Sequence, residues 1–373
     1  MPKPVASTIY LHIGTQKTGT TTLQTVGRTN RAALAKRGIL YPESPGTTNH
    51  IGLTLFATGG VGSRDLMRDA GLHSADEAAL YQAALPARLR AEITASGCKK
   101  VWLSNEHLSS RVRHAQQLVP LADMLAELAE EVRVVIYLRH QPEYYLSTYS
   151  MTIKAGSSNE ILPPQSEREY YYNYEKMLNV WADAFGDSAI TVRVFERPMM
   201  KNGDVVDDLF AIMGIERGDD LEIPTVLNPS LDARVLQFLR LFRQHVPRYV
   251  NDVLNPDHGD VTKALEAIST GPKFRVAAVT MQRIATMFAP SNARVARRFL
   301  GREDGRLFAE VTYRDDGEIP ELTTPQAVEI AAFLWCYKQR QIAEMKQLRR
   351  DRSGRGGRQA ADSLQHAMRE AEE

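Results

Sequence analysis

The sequence predicts an α/β protein, a parallel β-sheet flanked by helices, continued by a mostly helical C-terminal part. Three observations carry this. Short runs rich in β-branched residues recur at 7–13, 38–41, 100–104, 133–138 and 189–195, and each is apolar nearly throughout. That marks strands covered on both faces. Stretches of helical periodicity at 21–36, 76–95, 115–130 and 170–185 separate them, so strand and helix alternate as they do in parallel sheets. Past residue 195 the pattern turns helical, at 204–213, 230–244, 274–288 and 324–349.

The domain organisation follows from these runs. Residues 1–350 read as one domain, with an α/β core over 1–215 and a helical part over 216–350 that serves as an acceptor side or lid. Residues 351–373 read as a flexible charged tail, because its opening Arg/Gly-rich piece has little to bury. A chain of 373 residues with 43% hydrophobic and 24% charged content has the composition of a soluble globular protein. Its formal net charge of +1 argues against binding nucleic acid by bulk charge, so any anion site is local. The N-terminus lacks a basic segment followed by an apolar run, and nothing approaches the roughly 18 apolar residues of a membrane span. Two well-separated cysteines, Cys98 and Cys336, without ligand-spaced partners suggest neither a disulfide frame nor a zinc site. A cytoplasmic location is expected.

Ligands of such sheets sit beyond the carboxyl ends of the strands. After the first strand comes Gly14-Thr15-Gln16-Lys17-Thr18-Gly19-Thr20-Thr21. A glycine-bearing turn into a helix that begins at threonines directs backbone N–H groups at one point, which suits phosphate or sulfate. The loop is not the nucleoside-triphosphatase P-loop pattern G-x-x-x-x-G-K-[ST], because Lys17 precedes the second glycine by two places. The second run is followed by Thr48-Asn49-His50, and the third ends in VWLSNEHLSS, which brings Glu106 and His107 to the sheet's edge. Glu106, His107 and His50 are therefore the candidates for a proton-accepting base. If the strand persists, alternation sends His107 to the face opposite Glu106. The fourth run places Arg139 at its end and starts a helix near Pro142, so that Ser147 lies on the following helix where its hydroxyl and the guanidinium can converge on one further anion. The tyrosines Tyr144, Tyr145, Tyr149 and Tyr170 to Tyr172 either line a sugar site or pack in the core.

On these residues the sequence resembles the sulfotransferases that use 3′-phosphoadenosine 5′-phosphosulfate (PAPS). The family's PKSGTTW motif is matched by Gln16-Lys17-Thr18-Gly19-Thr20-Thr21-Thr22, and its Arg with a Ser eight residues on by Arg139 and Ser147. It is more closely similar to the bacterial, carbohydrate-modifying type, through KTGTT-x-LQ ending at Gln24, G-x-x-YP at Gly38, S-x-E at Ser104 and R-x-Q at Arg139, with fainter echoes at Asn228-Pro229-Ser230 and from Ser291 to Phe308. Thr22 stands in place of the family's tryptophan, and no counterpart of its glycine-rich KxGxxG segment is present; Arg294, Arg297 and Arg298 are the candidates for covering the nucleotide's far end.

The resemblance implies a P-loop-like sulfotransferase fold, PAPS as donor with PAP as product, a hydroxyl acceptor (less readily an amine) of carbohydrate or glycoconjugate type, and no essential metal. Lys17 would act on the leaving oxygen, Gln16, Thr18, Gly19, Thr20 and Thr21 would surround the 5′-phosphate, and Arg139 with Ser147 would hold the 3′-phosphate. A nucleotide or sugar kinase is the alternative that shares this fold, and a nucleotide-binding protein without activity is another; the position of Lys17 and the lack of a magnesium carboxylate after a strand oppose the kinase.

Overall fold

The computed structural model describes residues 3–60, 64–160, 162–224, 231–251, 253–313 and 321–370, with the backbone alone over 348–370. Asn228-Pro229-Ser230 lies outside the described residues. The chain divides into two compact units, one of residues 1–148, 161–228 and 276–317, the other of 149–160, 229–275 and 318–373.

In the first unit, strand and helix alternate as β1 (Ala6–His12), α1 (Thr20–Thr29), α2 (Arg31–Lys36), β2 (Ile39–Leu40), α3 (Ile51–Thr58), α4 (Arg64–Asp69), α5 (Ala75–Ser96), β3 (Lys100–Ser104), α6 (His107–Arg111), α7 (Ala115–Leu128) and β4 (Ala129–Leu138). There follow α8 (Gln141–Ala155), whose last turns belong to the second unit, α9 (Tyr174–Phe185), β5 (Ile190–Val194) and α10 (Val205–Met213). The five strands form one parallel sheet in the order β2-β3-β1-β4-β5. This is the α/β fold expected. In the register, His12 of β1 pairs with Ser104 of β3 and Val135 of β4, so the ends that carry the candidate residues lie side by side.

Each face of the sheet has its own core. On one, Ile9, Leu11, Leu103, Val134 and Ile136 pack with residues of α3, α5, α7 and α9; on the other, Tyr10, Trp102, Val135 and Tyr137 pack with Leu23 and Val26 of α1 and Phe210 of α10. Coverage on both sides is why the strands read as continuous apolar runs. The helix expected over 21–36 is two, because the chain breaks at buried Asn30. Its amide donates to the carbonyls of Val26 (2.9 Å) and Glu222 (2.8 Å) and accepts the Glu222 N–H (2.8 Å). The helix expected from 170 starts at Tyr174, where the side chain of Asn173 accepts the Lys176 N–H and caps it.

The later elements are α11 (Ala233–His245), the hairpin of β6 (Tyr249–Val250) and β7 (Val253–Leu254), α12 (Val261–Glu266), α13 (Ala278–Leu300) and α14 (Thr324–Glu370). The backbone of α14 takes in the Arg/Gly-rich stretch. Within the second unit, Arg243 is buried and donates to Lys154 O (3.1 Å), Thr262 Oγ1 (3.0 Å) and His258 Nε2 (3.2 Å), which ties α11 to α12.

One buried ionic group fastens α10 to the sheet. Asp208, 2% exposed, accepts from Tyr137 Oη (2.9 Å), from Arg193 Nε (2.9 Å) and Nη2 (2.6 Å), and from the Lys201 N–H (2.8 Å). Removing it leaves a guanidinium, a phenol and an amide without their acceptor. Asp208→Ala should therefore lower the unfolding free energy by about 3 kcal/mol, the lower end for a broken buried pair because Arg193 is partly solvated. Urea titration measures this, and a loss under about 1 kcal/mol would show that water replaces the carboxylate without cost.

Candidate anion-binding site

The loop after β1 is held by its neighbour strand before it turns. Ile13 N–H donates to Val135 O (2.9 Å), Tyr137 N–H to Gly14 O (2.6 Å) and Thr15 N–H to Tyr137 O (2.9 Å). The hydroxyl of Thr15 reaches the same Tyr137 carbonyl (3.0 Å), and that of Thr18 closes the turn on Thr15 O (2.6 Å). Three residues take left-handed backbone: Gly14 (φ 99°), Lys17 (φ 64°) and Gly19 (φ 79°). For Lys17 this costs about 1–2 kcal/mol, which the surrounding bonds must impose. The glycines are needed for space as well. A Cβ on Gly14 would lie 3.0 Å from Glu106 Cβ, and one on Gly19 2.9 Å from Val205 Cγ1. Gly19 is also the N-cap of α1 and provides no side-chain cap, so the first N–H groups of the helix face the loop's concavity without an internal acceptor. Thr18 and Thr20 are buried there, Gln16 and Lys17 half-buried, and Thr21 exposed.

Arg139 joins the second motif to the first. It follows β4 directly, donates from Nη1 to Lys17 O (3.1 Å), and lies 3.4 Å from the Glu143 carboxylate through Nε and Nη2. Glu143 and Ser147 are one turn apart on α8, hence on one face, and Ser147 is half-buried. The first turn of α8 is fixed by Gln141, fully buried, which exchanges amide hydrogen bonds with Asn292 of α13 (2.8 and 3.0 Å) and donates to Tyr172 O (3.1 Å).

The three base candidates differ sharply in environment. Glu106 stands against Gly14 and accepts from Gln24 Nε2 (2.5 Å) and Asn49 Nδ2 (3.3 and 3.4 Å). His107 is the first residue of α6, half-buried, with a buried Nδ1 that has no partner among the described residues. The alternation argued for it does not apply, because β3 ends at Ser104 and Glu106 is already helical (φ −74°, ψ −15°). His50 is fully buried, and both its nitrogens are engaged: Nδ1 accepts the Ser104 N–H (3.0 Å), which leaves the Nε2 proton to donate to Pro42 O (2.9 Å). It props β3 and does not face the crevice as a free base.

The three arginines considered for the nucleotide's far end have other partners. Arg294 makes a two-pronged contact with Glu175 (2.5 and 2.7 Å), Arg298 does the same with Asp187 (2.7 and 2.6 Å), and Arg297 donates to Glu303 O (3.3 Å). The tyrosines Tyr144, Tyr145, Tyr149, Tyr170 and Tyr172 are buried; Tyr144, Tyr145 and Tyr172 pack with Ile284 and Phe288. Gln24, Asn49 and Asn105, none of them a site candidate from the sequence, form the polar surroundings of Glu106.

No protein-family model matches the chain. An uncharacterized protein of Archaeoglobus fulgidus is 25% identical over 209 residues, 53% of this chain, and the chain spans about half (55%) of that relative's length. Among solved structures the chain is similar to a sulfotransferase from Alicyclobacillus acidocaldarius, with 16% identity, a TM-score of 0.37, and coverage of 65% of this chain and 96% of that one. It is also similar to the sulfotransferase domain of the Synechococcus PCC 7002 olefin synthase (13% identity, TM-score 0.33, covering 78% and 96%) and to that of the curacin biosynthetic pathway (10%, 0.36, covering 76% and 98%). Among the described residues no helix is long and apolar enough to cross a membrane.

Burial around the site has a consequence in pH. His12 and His50 are both fully buried, and desolvation pulls each down to about 3 from 6.5. Between those values the unfolded chain binds protons that the folded chain refuses, so stability is lost as pH falls from about 6.5 toward 3. Each ring should contribute a slope of about 1.4 kcal/mol per pH unit. Urea unfolding at pH 7, 6 and 5 measures it; a flat profile would show that the rings charge within the folded protein.

Proposed function

We propose that the chain transfers a sulfuryl group from PAPS to a hydroxyl of an acceptor, of carbohydrate or glycoconjugate type, by in-line displacement. The observation that carries the reading is the junction of Arg139 with the main chain of Lys17 at one end of the loop, while Glu106 lies against Gly14 at the other. An anion-binding loop, a second cation beside it and a carboxylate across it are the groups that sulfuryl transfer needs. The unpaired Cys98 and Cys336 fit a reducing, cytoplasmic setting.

PAPS supplies the sulfuryl group and leaves as PAP. The uncapped N–H groups of α1, with the hydroxyls of Thr20 and Thr21, suit its 5′-phosphate. The Thr18 hydroxyl, spent on Thr15 O, keeps the turn closed. Arg139 and Ser147 suit the 3′-phosphate, since a guanidinium presents paired donors and Ser147 lies on the α8 face that Glu143 brings to it. Lys17 would balance charge growing on the bridging oxygen as it departs, and Glu106 would take the acceptor's proton. Charge-assisted bonds of this kind need no metal to be drawn into the step.

Two measurements test this. In calorimetry PAP should bind more tightly than 5′-AMP, and Arg139→Ala should remove most of the difference, about 1.5–3 kcal/mol; equal affinities for the two nucleotides in the unaltered protein would refute the assignment of Arg139. Glu106→Gln keeps the shape and hydrogen-bonding reach but loses the base, so turnover of PAPS should fall roughly 10²–10⁴-fold with PAP affinity retained. Near-normal turnover in Glu106→Gln, with collapse in His107→Ala, would move the role to the histidine.

A further inference from the structure

Glu106 ends a directed chain of amides. It starts at a main-chain donor, the Leu108 N–H, which points at Asn105 Oδ1 (3.1 Å); Thr54 Oγ1 donates to the same oxygen (2.7 Å). Two donors on that atom fix the orientation of Asn105, because an amide nitrogen could accept from neither. The Nδ2 of Asn105 therefore faces Asn49 and donates to its Oδ1 (2.6 Å). This in turn leaves Asn49 only its Nδ2 to present to Glu106, at 3.3 Å from Oε2 and 3.4 Å from Oε1. Asn105 and Thr54 are fully buried, so the orientation is set inside the protein and delivered at the site.

The two carboxylate oxygens are consequently unequal. Oε2 receives the short bond from buried Gln24 (2.5 Å) in addition to Asn49, whereas among the described residues Oε1 has only the long contact with Asn49. We propose that Asn49, its amide turned by Asn105 and Thr54, is a positioning residue that holds Glu106 with Oε2 anchored and Oε1 directed to the acceptor. The inference rests on the sulfuryl-transfer reading above. In that step the acceptor oxygen bonds to sulfur as the bond from sulfur to the bridging oxygen breaks; PAP leaves with the electron pair, and the acceptor's proton goes to Glu106 Oε1. Without Asn49 the carboxylate swings about its bond to Gln24, and a displacement near 1 Å at a reacting group costs on the order of 10²-fold.

The test uses the full chain with PAPS and a panel of mono- and oligosaccharide acceptors beside water, and follows PAP release; PAP affinity is measured alongside. Asn49→Ala and Asn49→Asp should each lower kcat on the order of 10–100-fold with KM for PAPS and the affinity for PAP unchanged. In a Glu106→Gln background the same substitutions should cost nothing further, since they act only through that carboxylate. A kcat close to that of the unaltered protein, a loss that adds fully to that of Glu106→Gln, or loss of PAP binding in both variants would overturn the role. If the unaltered protein releases no PAP from PAPS with any acceptor of the panel, the sulfuryl-transfer reading falls and the inference with it; turnover that is insensitive to Asn49 overturns the inference alone.

Discussion

The candidate site depends on one residue of β4, Tyr137. Its main chain both donates to Gly14 and accepts from Thr15, so the loop leaves the sheet at a point fixed on both sides of one peptide. Its ring crosses into the second core and ends on Asp208, which also holds Arg193 and so ties β4, β5 and α10 together. From α10, Val205 comes within contact range of Gly19, at the far end of the same loop. The two ends of the turn from Gly14 to Gly19 are thus referred to one strand position. A loop that keeps Lys17 in a left-handed conformation needs such over-determination, because a non-glycine side chain disfavours that geometry.

Much of this was legible because the sheet is parallel and covered on both faces. Buried strands show as unbroken apolar runs, and β3 runs over Lys100–Ser104 as read. The start of β4 was hidden: Ala129 pairs with Ala6 while Glu130 and Glu131 are exposed, and an edge of mixed polarity looks like the end of the preceding helix. The short helices α3 and α6 escaped because five to eight residues span too little of the 3.6-residue period to register. Asn30 illustrates a different blind spot. Nothing in the segment 21–36 announces a break, which arises from a bond to Glu222, 192 residues away.

The same division runs through the site. Residues proposed to meet an anion sit at strand ends and glycine turns, where residue type and position speak together. Residues that orient those groups do so through partners remote in sequence: Gln24 lies 82 residues from Glu106, and Asn49 lies 56 from Asn105. Histidine shows how environment overrides type. His50 lies close to the site in space, yet burial holds it neutral and its two nitrogens serve the backbone of Ser104 and Pro42. A histidine near a crevice is a base only if one nitrogen is left to accept.

Arg139 shows how a nearly neutral protein builds a local cation. Its Nη1 is committed to Lys17 O, and the Glu143 carboxylate beside its Nε and Nη2 is about half exposed (51%) at 3.4 Å. Such a solvated pair is worth at most about 1 kcal/mol and weakens further in salt. The bond to Lys17 O instead sets where the guanidinium stands relative to the loop. On the proposed reading an incoming dianion would have little to displace: it would exchange a long, water-screened carboxylate contact for short charge-assisted bonds to a guanidinium already in place. On that reading the loosely held glutamate would cost the binding step little, whereas the contact with the loop's main chain would bring the two cationic elements to one point.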